Sequence, residues 1–197
     1  MIIGIDFDNT IADYTGVFYR VARELDWIPA EVGQSKAQVK AYFISQDQEP
    51  KWTELQGIVY GKEIGQARPY NHALSSLKTL QEQGHTLYLV SHKTRYPIIG
   101  DKIDFHQAAK TWLTHNGFVG TSDAPFEESS LFFNATLDEK VNKIDQLNCD
   151  AFVDDLEKVL THPRFPQGCK GILFQPDMRQ IERNQATNWR EVTSLLC

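Results

Sequence analysis

The sequence contains few cysteines and no long apolar segment. Its 197 residues include three cysteines, and their spacing suggests neither a disulfide framework nor a zinc site. No apolar run approaches the about 20 residues of a membrane-spanning helix. The first residues lack the basic region of a signal peptide, and Asp6 interrupts their apolar run, so we do not expect a signal peptide. We therefore expect a cytoplasmic protein that does not associate with membranes.

Positive charge is also scarce. Twenty lysines and arginines stand against 26 aspartates and glutamates, and the net charge is −6 at pH 7. This balance argues against broad binding to nucleic-acid polymers, although it allows a local basic pocket. The hydrophobic and charged fractions, 41% and 23%, are ordinary for a folded globular protein. The length suits one domain, or one domain with an insertion.

The first ten residues carry the most informative local pattern. Residues 2–7 form a mainly apolar, β-branched run that predicts a buried strand, and Asp6 and Asp8 lie at its carboxyl end. Ligands bind at that end of the strands in open α/β sheets. Two neighbouring carboxylates repel each other unless a cation lies between them, and oxygen ligands suit Mg²⁺. The same residues are also compatible with a simple Asp/Asn turn.

Further along the chain, a helical block interrupts an alternation of strands and helices. Residues 14–68 show helical periodicity in three segments separated by proline and glycine, and we predict no strand there. Residues 1–13 and 69–197 predict a Rossmann-like α/β domain with a mainly parallel five-stranded sheet flanked by helices. The five predicted strands are 2–7, 86–91, 131–133, 151–154 and 172–174. Residues 14–68 are then an inserted all-helical subdomain.

Polar side chains follow three of these strands. The carboxyl ends of parallel strands meet at one edge of a sheet, so these side chains are expected to share a pocket. A lysine in the helix before the fourth strand is expected to join them. The residues are Asp6, Asp8, Ser91, Lys140, Asp154 and Asp155.

In this order, these residues resemble the four motifs of the haloacid dehalogenase-like (HAD) hydrolase superfamily. The first motif corresponds to the stretch Asp6-Phe7-Asp8-Asn9-Thr10, the second to Ser91, the third to Lys140 and the fourth to Asp154-Asp155. The resemblance spans roughly residues 1–175. Lys143 is an alternative for the third motif. Lys140 is preferred because its distance from the acidic pair matches the superfamily better.

The resemblance implies a Mg²⁺-dependent phosphatase that forms an aspartyl-phosphate on Asp6. Asp8 would act first as general acid and then as general base. Ser91 would hydrogen-bond a phosphoryl oxygen, and Lys140 would offset negative charge. The metal would be held by Asp6, the backbone carbonyl of Asp8, Asp154 and Asp155. Which of the last two contacts the metal directly is left open.

The second acid also bears on the choice of reaction, because superfamily members that act on carbon–halogen bonds lack it. The resemblance thus favours hydrolysis of a small phosphorylated metabolite, such as a nucleotide or a sugar phosphate. The helical block at 14–68 fits the position of a cap that closes over the pocket. Two alternatives stay open: a phosphotransferase with an acceptor other than water, and a catalytically silent HAD-fold module that binds or regulates.

Three further residues are candidates for substrate binding. Lys93 and Arg95 follow Ser91 in a polar stretch and would suit a second anionic group, but such loops are often solvated surface. Thr10, in the first motif, is the third candidate and is equally compatible with a capping role. The substrate itself and the oligomeric state do not follow from the sequence.

Overall fold

The computed structural model describes residues 1–178 and 184–197. The chain divides into two compact units. The core unit contains Met1–Ala12, Pro69–Lys93 and Leu113–Cys197, and the helical unit contains Asp13–Arg68 and Thr94–Trp112. Among the described residues, every helix is too short or too polar to cross a lipid bilayer.

The described residues of both units form the following strands and helices. The strands are β1 (Ile2–Ile5), β2 (Ala12–Asp13), β3 (Arg68–Pro69), β4 (Thr86–His92), β5 (Leu131–Asn134), β6 (Ala151–Asp154), β7 (Lys170–Phe174) and β8 (Gln185–Ala186). The helices are α1 (Val17–Glu24), α2 (Lys36–Ser45), α3 (Glu49–Tyr60), α4 (Ala73–Glu82), α5 (Phe105–His115), α6 (Leu137–Gln146), α7 (Glu157–Leu160) and α8 (Trp189–Leu196). Short 3₁₀ turns lie at Ile64–Gln66 and Glu128–Ser130.

A parallel sheet in the order β5-β4-β1-β6-β7-β8 forms the centre of the core unit. The predicted α/β class and parallel sheet are therefore confirmed. The predicted count of five strands was wrong, because the sheet has six strands within residues 1–178 and 184–197. The sixth, β8, contributes only Gln185 and Ala186 at the edge beside β7. A two-residue strand that begins with a polar residue leaves no apolar run to detect.

The central strand β1 is buried on both faces, as parallel sheets require. Ile3 and Ile5 have no exposed surface. Between them, Gly4 allows β1 to approach Phe152 of β6, because a Cβ at this position would lie 2.4 Å from the Phe152 side chain. The packing of this strand therefore holds the residues that follow it in a fixed place.

The helical unit has an aromatic core of its own. The Phe18 and Trp52 rings lie 5.2 Å apart, and those of Tyr14 and Tyr60 lie 5.1 Å apart. Helix α3 begins at Glu49, and Pro50 lies in its first turn, where no backbone donor is required.

Residues 94–112 belong to this unit too, whereas the predicted insertion ended at residue 68. Three contacts explain their placement. The Trp112 indole donates to the carbonyl of Ala67 at 3.0 Å, and the Phe105 ring lies 6.4 Å from the Tyr60 ring. The absence of a side chain at Gly57 leaves room for the 97–99 loop, because a Cβ there would lie 3.0 Å from the Ile99 carbonyl.

Candidate active site

Asp6 occupies a fixed position at the carboxyl end of β1. Its backbone N–H donates to the carbonyl of Val153 at 2.9 Å and so continues the pairing of β1 with β6. The chain then turns tightly, since the Phe7 carbonyl accepts the N–H groups of Ile11 and Ala12, both at 3.0 Å. This turn directs Thr10 back toward Asp6, and the Thr10 hydroxyl donates to Asp6 Oδ2 at 3.3 Å. Thr10, one of the predicted substrate-binding residues, thus contacts Asp6.

Lys140 joins the first and fourth predicted motifs. Helix α6 begins with a capping box, in which the Thr136 hydroxyl accepts the Glu139 N–H and the Glu139 side chain accepts the Thr136 N–H. Lys140 follows in the first turns and is 1% exposed. Its ammonium donates to Asp6 Oδ1 and to Asp154 Oδ2, each at 2.6 Å. One buried cation therefore bridges the ends of two neighbouring strands.

The alternative lysine lies elsewhere on the same helix. Lys143 is only partly buried, and its ammonium lies over the Phe132 ring, 5.0 Å from the ring centre. The structure thus places Lys140, and not Lys143, between the two carboxylates. The catalytic role assigned to Lys140 stays a prediction.

Burial shapes the electrostatics of this cluster. Burial, together with the negative charge of Asp154, raises the pKa of the Asp6 carboxyl to about 7. The positive charge of Lys140 opposes this rise. For Lys140, burial disfavours the charged form, but the charges of Asp6 and Asp154 outweigh it and raise the pKa of the ammonium. Lys140 therefore stays protonated at neutral pH and holds the two carboxylates together.

Asp8 is paired with a different lysine. The Lys93 ammonium lies 2.8 Å from Asp8 Oδ2, and the Lys93 side chain is 3% exposed. The sequence placed Lys93 in a polar loop and assigned it to the substrate. The structure shows a buried lysine paired with a partly buried aspartate, and direct contact of Lys93 with substrate stays a prediction. The available signal was strand periodicity, because Lys93 follows Ser91 by two residues and alternate residues of a strand share a face.

Ser91 is buried at the end of β4. The pairing of β1 with β4 sets Ile5 beside Leu89, and Ser91 lies two residues further along β4. The Ser91 hydroxyl has no hydrogen-bond partner among the described residues. A buried hydroxyl without a partner is unfavourable, so this group suits a ligand with an acceptor oxygen.

The acidic residues fit a divalent cation. Asp6, Asp154 and Asp155 each offer an oxygen, and these atoms lie within 4.8 Å of one another. An all-oxygen donor set of this kind suits Mg²⁺.

The positions of Asp154 and Arg95 add two details. Both carboxylate oxygens of Asp154 already accept hydrogen bonds, Oδ1 from the Leu156 N–H at 2.9 Å and Oδ2 from the Lys140 ammonium.

Arg95 belongs to the helical unit, where its guanidinium donates to Asp104 at 2.9 Å and its side chain is 64% exposed. The substrate contact predicted for Arg95 stays a prediction, and so does the direct contact of either Asp154 or Asp155 with a metal.

The fold and this cluster define a class: an α/β protein with an acidic site at the carboxyl edge of a parallel sheet. No protein-family model matches the chain. A Bacillus cereus protein named "Putative nucleotidase" is 23% identical over 166 residues, which cover 81% of this chain and 79% of that protein.

Solved structures identify the fold. A structure described as a predicted phosphoglycolate phosphatase from Haemophilus somnus has a TM-score of 0.60 at 13% identity, covering 100% of this chain and 97% of that one. A "putative HAD-hydrolase" of Bacillus subtilis bound to magnesium has a TM-score of 0.56 at 14% identity, covering 99% and 97%. The chain therefore has the fold of HAD-superfamily hydrolases, and the fold that its motifs implied is confirmed.

Proposed function

We propose that this chain is a Mg²⁺-dependent phosphatase that hydrolyses a small phosphomonoester through an aspartyl-phosphate on Asp6. The observation that carries the proposal is the buried Lys140 ammonium, which lies 2.6 Å from both Asp6 and Asp154. A carboxylate is a weak nucleophile toward an anionic phosphate unless positive charge offsets the repulsion. The names of the nucleotidase and phosphatase relatives support the same reaction.

In the proposed reaction, an Asp6 oxygen forms a bond to phosphorus while the bond from phosphorus to the leaving oxygen breaks. Asp8 gives its proton to that oxygen. Asp8 then takes a proton from water, whose oxygen attacks the phosphorus and releases Asp6 and inorganic phosphate. Ser91 and Lys140 stabilise charge on the phosphoryl oxygens. Asp6, Asp154, Asp155 and the Asp8 carbonyl would hold Mg²⁺, which neutralises phosphate charge when bound.

The helical unit has the sequence position of a cap, and we propose that it selects the leaving group and excludes water. The named nucleotidase relative makes nucleoside monophosphates the first substrates to test, with sugar phosphates second. We further propose the cytoplasm as the site of action, because all three cysteines are free.

The test is phosphate release from a panel of nucleoside and sugar monophosphates, with Mg²⁺ and after chelation. We expect release that requires the metal and is absent from Asp6→Asn. Added alcohols that yield new phosphoesters, at the expense of free phosphate, would favour phosphotransfer. Tight Mg²⁺ or phosphate binding without turnover of any panel member would favour a silent module.

Removing the Ser91 hydroxyl should lower the activity without lowering the stability of the fold. We expect Ser91→Ala to lower kcat/KM by about 10- to 100-fold, because one donor to the phosphoryl group is lost. The free energy of unfolding should stay constant or rise by up to about 1 kcal/mol, because the hydroxyl has no partner to lose. Denaturant unfolding and steady-state kinetics check both.

Ser76 provides a matched control. It is also buried, but its hydroxyl donates to the Trp189 carbonyl at 3.2 Å. Ser76→Ala should therefore cost about 1 kcal/mol of stability and leave kcat/KM unchanged. A Ser91→Ala protein with full activity would remove Ser91 from the proposed machinery.

Asp8→Asn should slow both halves of the reaction, each by about 100- to 1000-fold, because the amide neither donates nor accepts the transferred proton. Mg²⁺ binding should be largely retained, since the metal would use the Asp8 backbone carbonyl. Rapid-quench measurement of phosphoenzyme formation and decay tests the first part, and calorimetric titration with Mg²⁺ tests the second. Complete loss of metal binding in this variant counts against the assignment.

A further inference from the structure

The second lysine of the site, Lys93, is buried like Lys140. Its backbone N–H donates to the Asn134 carbonyl at 2.8 Å, and the Asn134 side-chain amide donates to the Ser91 carbonyl at 3.1 Å. Strand β5 thus holds the end of β4 on both sides of His92. The Lys93 ammonium lies 5.5 Å from the centre of the Phe7 ring and 2.8 Å from Asp8.

Stability alone is a poor explanation for this pair. Removing the Lys93 ammonium from water, and the Asp8 carboxylate in part, costs desolvation free energy that their attraction only about offsets. A distant second anionic group on the substrate is also a poor explanation. The Lys93 side chain is 3% exposed, and its ammonium is directed at Asp8. Lys93 instead contacts Asp8, the residue to which both proton transfers are assigned.

We propose that Lys93 is a positioning residue that holds the Asp8 carboxylate in the place required for proton transfer. This inference rests on the proposed phosphatase function. The ammonium binds Asp8 Oδ2 and so fixes the orientation of the carboxyl group. Asn134 supports Lys93 indirectly, because its hydrogen bonds hold the backbone of residues 91 and 93.

The dependence on the leaving group tests this role. The value of kcat/KM reports the steps up to phosphoenzyme formation. That step requires a general acid for an alkyl phosphate, but not for p-nitrophenyl phosphate, whose leaving group is stable without a proton. We expect Lys93→Met to lower kcat/KM by about 10- to 100-fold for the alkyl phosphate and by less than about threefold for p-nitrophenyl phosphate.

Other roles give other patterns. If Lys93 bound the phosphoryl group, or served only to support the fold, kcat/KM would fall equally for both substrates, and this result would overturn the proposal. Unchanged kinetics for both would overturn it as well. If wild-type protein released phosphate from neither substrate, the proposed function itself would fail, so the two failures are distinguishable.

Three variants complete the experiment. Lys93→Arg keeps a cation and should recover most of the activity toward the alkyl phosphate, and Lys93→Gln should reproduce the loss if the methionine variant is poorly folded. Adding Lys93→Met to Asp8→Asn should cost less than about twofold more, because a residue that acts through Asp8 has nothing left to position. Lys78→Met removes an exposed pair with Asp123 and should leave both substrates unaffected.

Discussion

Replacing Asp6 with Asn should abolish phosphate release, with a loss of at least about 10⁴-fold, while the protein stays folded. The amide does not form the acyl-phosphate, and the other carboxylates of the site do not replace it. Asp154 is held by Lys140 and the Leu156 N–H, and Asp8 by Lys93. The fold should survive, because the Asn carbonyl oxygen still accepts a hydrogen bond from Lys140 and a buried negative charge is removed.

Acid-quenched samples provide the direct measurement. Mass spectrometry of wild-type protein mixed with a good substrate should detect one added phosphoryl group, and a fragment containing Asp6 should carry it. The Asp6→Asn protein should show none. Asp123→Asn is a suitable control, because Asp123 pairs with a lysine at an exposed position in the same unit. Turnover by Asp6→Asn near the wild-type rate would exclude the aspartyl-phosphate mechanism.

The features predicted correctly from the sequence are those with local causes. A β-branched apolar run specifies a buried strand, and in a parallel sheet every such strand ends at the same edge. Asp6, Ser91 and Asp154 could therefore be grouped without knowledge of the strand order. Lys140 was grouped with them through the resemblance to the HAD motifs, and the structure places its ammonium 2.6 Å from both Asp6 and Asp154.

The features that were missed depend on contacts distant in sequence. Strand β8 is defined only by its pairing with β7, and the β2–β3 pair only by two short segments that meet. Residues 94–112 join the helical unit because of the Trp112–Ala67 and Phe105–Tyr60 contacts. From the sequence, Lys93 is assigned to the substrate, because no residue near it in sequence indicates that Asp8, 85 residues earlier, pairs with it.

Lys140→Met should destabilise the metal-free protein by about 3–5 kcal/mol, because it leaves the buried carboxylates of Asp6 and Asp154 without their common counter-charge. Lys143→Met is the matched control on the same helix. Lys143 is partly buried and contacts the Phe132 ring, so its loss should cost about 1 kcal/mol or less. Denaturant unfolding of the two variants in the presence of a chelator measures both values.

The pH dependence gives this prediction a second, independent readout. The pKa of Asp6 is already raised from 3.8 to about 7, and removing Lys140 removes the attraction that opposes the rise. The folded variant will therefore bind protons that the unfolded chain has released, and its stability must fall as pH rises from 3.8 through the folded pKa. We expect the cost of Lys140→Met to be larger near about pH 8, where wild-type Asp6 is largely ionised beside Lys140, than near about pH 5, where Asp6 is protonated in both folded proteins. A cost that is the same at both pH values, or no greater than that of Lys143→Met, would mean that Lys140 does not neutralise the site.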